Sequence, residues 1–195
     1  GLREKILLMH GEHDLESVLV ALGEGLNELG IEHENCGINL LDTSTEPPGM
    51  RSRSTRPGGW MEAEDPRGVQ NVERFWRGGE TVYRADIEAD DPYGECEYLQ
   101  TRSRIRSIID VPFTQGTFAI NSTRPQAFSR RDVFVLEEMA NVLSAGFQRI
   151  EDLRMLALSE QRYRTLLETP DFVVLLLDGA GNYVYVSPQV HDWLG

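Results

Sequence analysis

The sequence predicts an α+β fold, with a central antiparallel sheet flanked by helices, a long helix near the C-terminal end and a final β-hairpin. Three observations carry this. Apolar residues recur at helical spacing over 14–29 and again over 129–157. Between those stretches lie short segments with period-two alternation or β-branched enrichment, separated by Gly, Pro, Ser and Asp clusters. Residues 173–177 and 183–187 flank Asp178-Gly179-Ala180-Gly181-Asn182, a hairpin signature. Periods of 3.6 and 2 residues distinguish a helix face from a strand face.

The elements follow in order. Residues 2–9 form a first helical piece with Leu2, Ile6 and Met9 on one side. In 14–29, Leu15, Val18, Leu19, Leu22, Leu26 and Leu29 make one apolar stripe, Asp14 is placed to cap the start and Gly30 to end it. Residues 36–42 read as a strand with Ile38 and Leu40 on one face and Leu41 on the other. A Thr/Ser/Pro turn over 43–49 leads to a polar, edge-like or one-sided strand over 50–56, broken by Pro57-Gly58-Gly59. A short helix is expected over 69–77, stopped by Gly78-Gly79, then a strand over 81–87. Residues 88–97 are acidic and loop-like, and 98–104 are expected to be helical. Residues 106–113 and 117–122 form a hairpin about Gln115-Gly116, and 124–128 connect it onward.

Ser129 opens the long helix, with Asp132 three residues on in a capping-box arrangement. Leu136, Met139, Leu143, Gly146, Ile150, Leu153 and Ala157 step alternately by threes and fours, a coiled-coil-like seam in which Gly146 permits close helix approach. The first half of the seam suits either a partner helix or the chain's own sheet. Beyond Ile150 no sheet should remain to cover, so Leu153 and Leu156 are expected to meet another helix in a parallel homodimer.

Composition narrows the function classes. The formal net charge is −13, from 19 basic and 32 acidic residues. A nucleic-acid or anionic-lipid surface needs clustered cations, so neither is expected as a partner. Lys5 is the only lysine, which fits either a GC-rich coding sequence or a high-salt source. The chain begins at Gly1 and shows no signal peptide, and its longest apolar run, 172–177, is far too short to span a bilayer. An excised, cytoplasmic piece of a larger protein is expected. Cys36 and Cys96 lack metal-ligand spacing and are expected to stay reduced; His10, His13, His33 and His191 are scattered, so no metal site is expected.

The order of elements resembles the GAF domain. The resemblance rests on Cys36-Gly37-Ile38-Asn39-Leu40-Leu41-Asp42 after an amphipathic helix. It rests also on Arg106-Ser107-Ile108-Ile109-Asp110-Val111-Pro112-Phe113 and on Ala127-Phe128-Ser129-Arg130-Arg131-Asp132 followed by Leu136. The tail resembles the opening of a PAS domain: Arg162-Tyr163-Arg164, Leu166-Leu167-Glu168 and Pro170, then Asp178, Gly181, Tyr185-Val186-Ser187-Pro188 and Trp193-Leu194-Gly195, with Ser187 where that family often carries Asn. The implied organisation is an N-terminal helix over 1–13, a GAF-like core over 14–132, an exit helix and linker over 133–168, its first part packing on the GAF sheet, and a truncated PAS-like segment over 169–195. Together these imply a sensory region of a histidine kinase or similar bacterial signalling protein, relaying ligand binding or dimer repacking to an output domain. The fragment itself is not expected to be an enzyme, since it has no phosphate-cradling Gly loop with a Lys and no phosphoacceptor histidine context.

The resemblance implies a small-molecule pocket between the sheet and the segments above one face. Trp60, Phe75, Trp76, Tyr83, Tyr93 and Tyr98 lie in those segments, with Asp86, Cys96 and Arg106 as candidate polar contacts. The alternative is a collapsed site whose aromatics are core. Bilin-binding members of the family attach their pigment through a Cys in about this loop, usually followed by His. Here Glu97 follows Cys96 and Glu88 stands where those proteins have Pro, so a bilin is not expected and the ligand is unknown. Asp90-Asp91 and Glu95–Glu97 read as solvated acidic clusters, and Arg102, Arg104 and Arg106 either pair with them or meet an anionic ligand. Two rival readings are a ligand-free structural dimerisation module and a GAF-type sulfoxide reductase, which would need a reactive cysteine.

Overall fold

The computed structural model describes residues 2–7, 9, 14–56, 58–63, 65–100, 104–168, 173–188 and 190–191. His10, His13, Arg102, Pro170 and Trp193-Leu194-Gly195 lie outside these residues, as does most of any helix over 189–194. The chain divides into two compact units, Gly1–Ile150 and Glu151–Gly195.

The first unit has the order α1 (Leu2–Leu7), α2 (Leu15–Glu28), β1 (Asn35–Asp42), β2 (Gly49–Ser54), β3 (Met61–Glu62), α3 (Pro66–Gly78), β4 (Val82–Arg84), α4 (Cys96–Gln100), β5 (Ser107–Phe113), β6 (Gly116–Ser122) and the first part of α5 (Arg130–Glu168). The six strands form one antiparallel sheet, ordered β3-β2-β1-β6-β5-β4. The predicted α+β architecture is therefore present.

Period two divides this sheet into two unlike faces. Cys36, Ile38 and Leu40 of β1, Ile109, Val111 and Phe113 of β5, and Phe118 and Ile120 of β6 point one way and are all buried. They form one core with Ile6 and Met9, with Leu15, Val18, Leu19, Leu22 and Leu26 of α2, and with Leu136, Met139, Leu143, Phe147 and Ile150 of α5. Each such aliphatic side chain stabilises the fold by roughly 1.5–3 kcal/mol on burial. Four of the predicted seam residues, Leu136, Met139, Leu143 and Ile150, are thus consumed by this unit's own core. Gly146 lies under α1: a Cβ there would sit 2.3 Å from Ile6 Cγ2.

Local chemistry explains the boundaries. Ser129 and Asp132 form the expected capping box, with Ser129 N–H donating to Asp132 at 2.7 Å and Asp132 N–H to Ser129 Oγ at 3.3 Å. Asp14 stands at the N-cap of α2 but makes no side-chain cap bond, because its backbone is already helical (ψ −11°) rather than extended. Helix α3 starts three residues before the expected 69, with Pro66 in its first turn and the Asp65 carboxylate accepting from Arg67 N–H at 2.9 Å. It ends at Gly79, whose φ of 68° lets its N–H reach the Phe75 and Trp76 carbonyls. The strand expected over 81–87 stops at Arg84, since the Asp86 carbonyl accepts from Ala89 and Asp90 in a turn. Helix α4 begins two residues early because the Asp91 carboxylate accepts from the N–H groups of Glu95 and Cys96.

In the second unit, α5 continues from Glu151, and β7 (Leu175–Leu177) pairs antiparallel with β8 (Tyr183–Val186). Asp178 organises their turn by accepting from Ala180 and Asn182. Ser187 closes the hairpin: its Oγ accepts from Val174 N–H at 3.0 Å and its own N–H donates to the Val174 carbonyl at 2.9 Å. Leu153, Leu156, Leu158, Leu166 and Leu175 to Leu177 are exposed. Among the described residues no helix is long and apolar enough to cross a membrane.

Candidate functional site

The other face of the sheet is paved with small and polar side chains. It presents Asn35, Gly37 and Asn39 from β1, Ser52 and Ser54 from β2, Ala119 and Asn121 from β6, Ile108 and Asp110 from β5, and Arg84 from β4. Over it lies a cavity of about 830 Å³, roofed by β3, the start of α3 (Pro66 to Gly68 and Val72) and Tyr98 and Leu99 of α4. The volume falls in the range of small-molecule sites. A small apolar cluster of Ile87, Ile105 and Ile108, with Leu99 against it, holds α4 in place.

A chain of polar contacts crosses this floor from strand to strand. Ser52 Oγ donates to Asn39 Oδ1 at 2.8 Å, Asn39 Nδ2 to Thr117 Oγ1 at 3.0 Å, and Thr117 Oγ1 to Asp110 Oδ1 at 2.7 Å. Arg84 then donates from one guanidinium nitrogen to Asp110 Oδ2 at 2.5 Å and from another to the Val82 carbonyl at 2.9 Å. Its Nε faces Glu95 Oε2 at 2.8 Å. Glu95 Oε1 accepts from Tyr98 at 3.4 Å. Arg84, Glu95 and Asp110 are each 4% exposed.

This triad holds the roof to the floor. Its members come from β4, the residue just before α4, and β5, and the Arg84 guanidinium also lies 4.8 Å above the Phe75 ring of α3. Phe75 is in turn met edge-on by Tyr93 at 4.8 Å. The Arg84–Glu95 contact is close but not aligned for a hydrogen bond, so Arg84 Nε and Glu95 Oε2 remain buried without one. Asn121 Oδ1 is likewise buried without a donor. Burial would lower the Arg84 pKa, but Asp110 and Glu95 override it and hold the guanidinium charged. Burial pushes the Glu95 carboxyl up from the ordinary value; Arg84 opposes the shift and Asp110 adds to it. Burial also raises the Tyr98 phenol, helped by Glu95.

A pH dependence follows. The native state of Glu95 holds its proton to higher pH than the unfolded chain does, so stability falls as pH rises from about 4.5 through the raised native value and then levels. Glu95→Gln is expected to remove that decline. Urea denaturation of both proteins across pH 4–8 checks it; parallel curves would show that Glu95 titrates normally.

Of the nine residues singled out from the sequence, Tyr98 lines the cavity. Phe75 and Tyr93 support it from behind through Arg84. Trp60 packs against the main core beneath Arg51, and Tyr83 lies on the apolar face, its hydroxyl accepting from Phe128 N–H at 3.2 Å. Trp76 donates to the Phe113 carbonyl at 3.0 Å. Asp86 and Arg106 pair with one another at 2.6 Å, and Glu88 joins at 3.1 Å. Glu95, read as part of a solvated cluster, is instead buried, because the Asp91 carboxylate accepts from its N–H and turns the residue just before α4 inward. Arg84, Asp110 and Asn121 were not singled out; charged or amide residues inside β-rich segments were the available signal.

Neither cysteine lines the cavity. Cys36 sits on the apolar face, and burial pushes its thiol up to about 11 despite the Thr55 hydroxyl. Burial raises Cys96 too, with Asp91 and Glu88 adding to it. Both are therefore thiols at neutral pH, and labelling by an aromatic disulfide reagent at pH 8 is expected to be much slower than for free cysteine until the protein is denatured. Fast labelling of either thiol in the native protein would contradict this.

No family model and no curated protein matches the chain. Solved structures do. The free methionine-R-sulfoxide reductase of Neisseria meningitidis, in complex with its substrate, superposes with a TM-score of 0.59 at 21% identity, covering 78% of this chain and 87% of that one. A methyl-accepting chemotaxis protein fragment superposes at 0.58 and 19% identity, covering 78% and 98%. The GAF domain of a two-component sensor histidine kinase from Bacillus halodurans gives 0.56 at 15% identity, covering 76% and 99%. The fold is GAF-like.

Proposed function

We propose that the chain is a sensory module of a bacterial signalling protein, a sensor histidine kinase or a relative. In this reading the GAF-like unit takes a small ligand in its cavity, and α5 relays the bound state to a PAS-like segment and an output domain within a homodimer. The observation that carries it is the placement of cavity and exit helix on opposite faces of one sheet. The chemotaxis protein and sensor kinase among the structural neighbours favour the same class.

A physical route exists between the two faces. Helix α3 roofs the cavity and its Trp76 grips the Phe113 carbonyl at the end of β5. The Phe113 ring packs on Phe147 of α5 at 5.3 Å, and Thr114 N–H donates to Ser144 Oγ at 3.2 Å. Thr81, just before β4, donates to Glu137 of α5 at 2.6 Å. A ligand that shifts α3 or β4 therefore pulls on α5 directly. Relay requires two helix arrangements that differ in ligand affinity.

The exposed half of α5 supplies the dimer contact, through Leu153, Leu156 and Ala157. Neither thiol lines the cavity and burial holds both protonated, which favours a binding module over a reductase. Native and denaturing mass spectrometry with sedimentation tests the reading. The expected result is a dimer that carries a releasable small molecule and becomes monomeric with Leu153→Glu. An empty monomer at high concentration would overturn it.

A further inference from the structure

We propose that the cavity takes a small monocationic ligand, a protonated amine on a hydrogen-bonding body, with its nitrogen donating to Glu95 Oε2; this rests on reading the cavity as a ligand pocket. Three independent observations point there.

The first is charge. The buried triad sets one guanidinium, Arg84, against two carboxylates, Glu95 and Asp110, all facing the cavity. Low-dielectric surroundings make one uncompensated negative charge costly, and a bound cation offsets it.

The second is the hydrogen-bond inventory. The buried atoms lacking a bond on this face include two acceptors, Glu95 Oε2 and Asn121 Oδ1, and one donor, Arg84 Nε, which already faces Glu95. Glu95 is 4% exposed and its Oε2 retains unused lone pairs beside the cavity. The complementary ligand brings donors, and an ammonium brings three.

The third excludes the opposite charge. The other two guanidiniums in the lining are already engaged. Arg67 spends all three nitrogens on Asp65 and Glu97. Arg53 binds Glu16 at 2.8 Å and the carbonyls of Ser54, Arg56 and Gly59. An anionic ligand would have to break an existing ion pair to gain a cation, whereas an amine adds to the triad without displacing anything. The hydroxyls and amides of Ser52, Asn39 and Asn35 suit the polar body of such a molecule.

The test is a fragment library of matched trios on the whole chain: tyramine, tyrosol and 3-(4-hydroxyphenyl)propionate, with analogous amine, alcohol and carboxylate sets on other small scaffolds. Saturation-transfer NMR detects binding and titration gives affinities. The expected result is that amines bind more tightly than their neutral and anionic partners. Glu95→Gln, which keeps the shape, is expected to cost them about tenfold or more. Glu24→Gln, which removes the same charge from the exposed side of α2, is expected to change nothing. Circular dichroism confirms folding of both variants, and Asp110→Asn serves as a second probe of the triad. Preferential binding of carboxylates, or amine binding indifferent to Glu95 and Asp110, would overturn the charge assignment while leaving the pocket standing. Binding of no trio would overturn the pocket reading as well.

Discussion

Arg84→Met is expected to destabilise the protein by about 3–5 kcal/mol at neutral pH, because it leaves two carboxylates buried against one another without a cation. The methionine fills much of the vacated volume, so the loss is electrostatic more than steric. The cation–π contact over Phe75 disappears as well, at about 0.5–2 kcal/mol within that total. Two controls separate these contributions. Lowering the pH protonates Glu95 and should recover part of the loss, since burial already raises its pKa in the native protein. The double variant Arg84→Met/Glu95→Gln should recover a similar part at pH 7. Urea midpoints measure all three. If Arg84→Met were as stable as the wild type, the triad would be hydrated and open in solution, and the account of the cavity floor would fail.

The second large effect divides α5 in two. Leu143 is 0% exposed and packs in the core shared by α2, the sheet and α5. Leu143→Ala is expected to cost about 2–5 kcal/mol through lost transfer energy and a residual cavity. Leu153, ten residues on, is 44% exposed, and Leu153→Ala measured at low protein concentration is expected to stay within about 0.5 kcal/mol of the wild type. Both residues belong to one heptad-like seam in the sequence. Equal losses at the two positions would mean that the later half of the helix is covered in dilute solution.

The contrast along that seam illustrates what could be read from residues alone. Helix α2, the capping box of α5 and the β5–β6 hairpin were legible because local chemistry decides them: a 3.6-residue stripe, a Ser–Asp pair, a Gln-Gly turn. The partner of each apolar stripe was not legible, because Leu136 and Leu153 carry the same side chain and differ only in what the topology brings over them. Strand β3 has two residues and no periodicity to detect. The start of α3 is written in Asp65-Pro66, a cap followed by a proline in the first turn, just after a Gly-rich stretch.

The site was harder for a different reason. Aromatic residues drew attention as walls, yet Phe75 and Tyr93 act as buttresses and Tyr83 faces the other way. The informative pattern was quieter. In β1, Asn35, Gly37 and Asn39 alternate with Cys36, Ile38 and Leu40; in β6, Thr117, Ala119 and Asn121 alternate with Phe118 and Ile120. An alternating strand is ordinarily read as half solvated. In this sheet the polar half is roofed, and only the positions of α3 and α4 reveal it. Arg84 and Asp110, a charge within each of two neighbouring strands, were the one hint that the polar face was enclosed.

The two-faced sheet has a consequence for how such a domain diversifies. Along each central strand, every second residue answers to the core and the residues between face the cavity. Exchanging Asn39, Ser52 or Ala119 leaves the packed face untouched, so the lining of the cavity can change without first costing the chain its ability to fold. Tolerance to substitution would then follow a period-two rhythm through β1 and β6, low on the apolar pleats and higher on the polar ones.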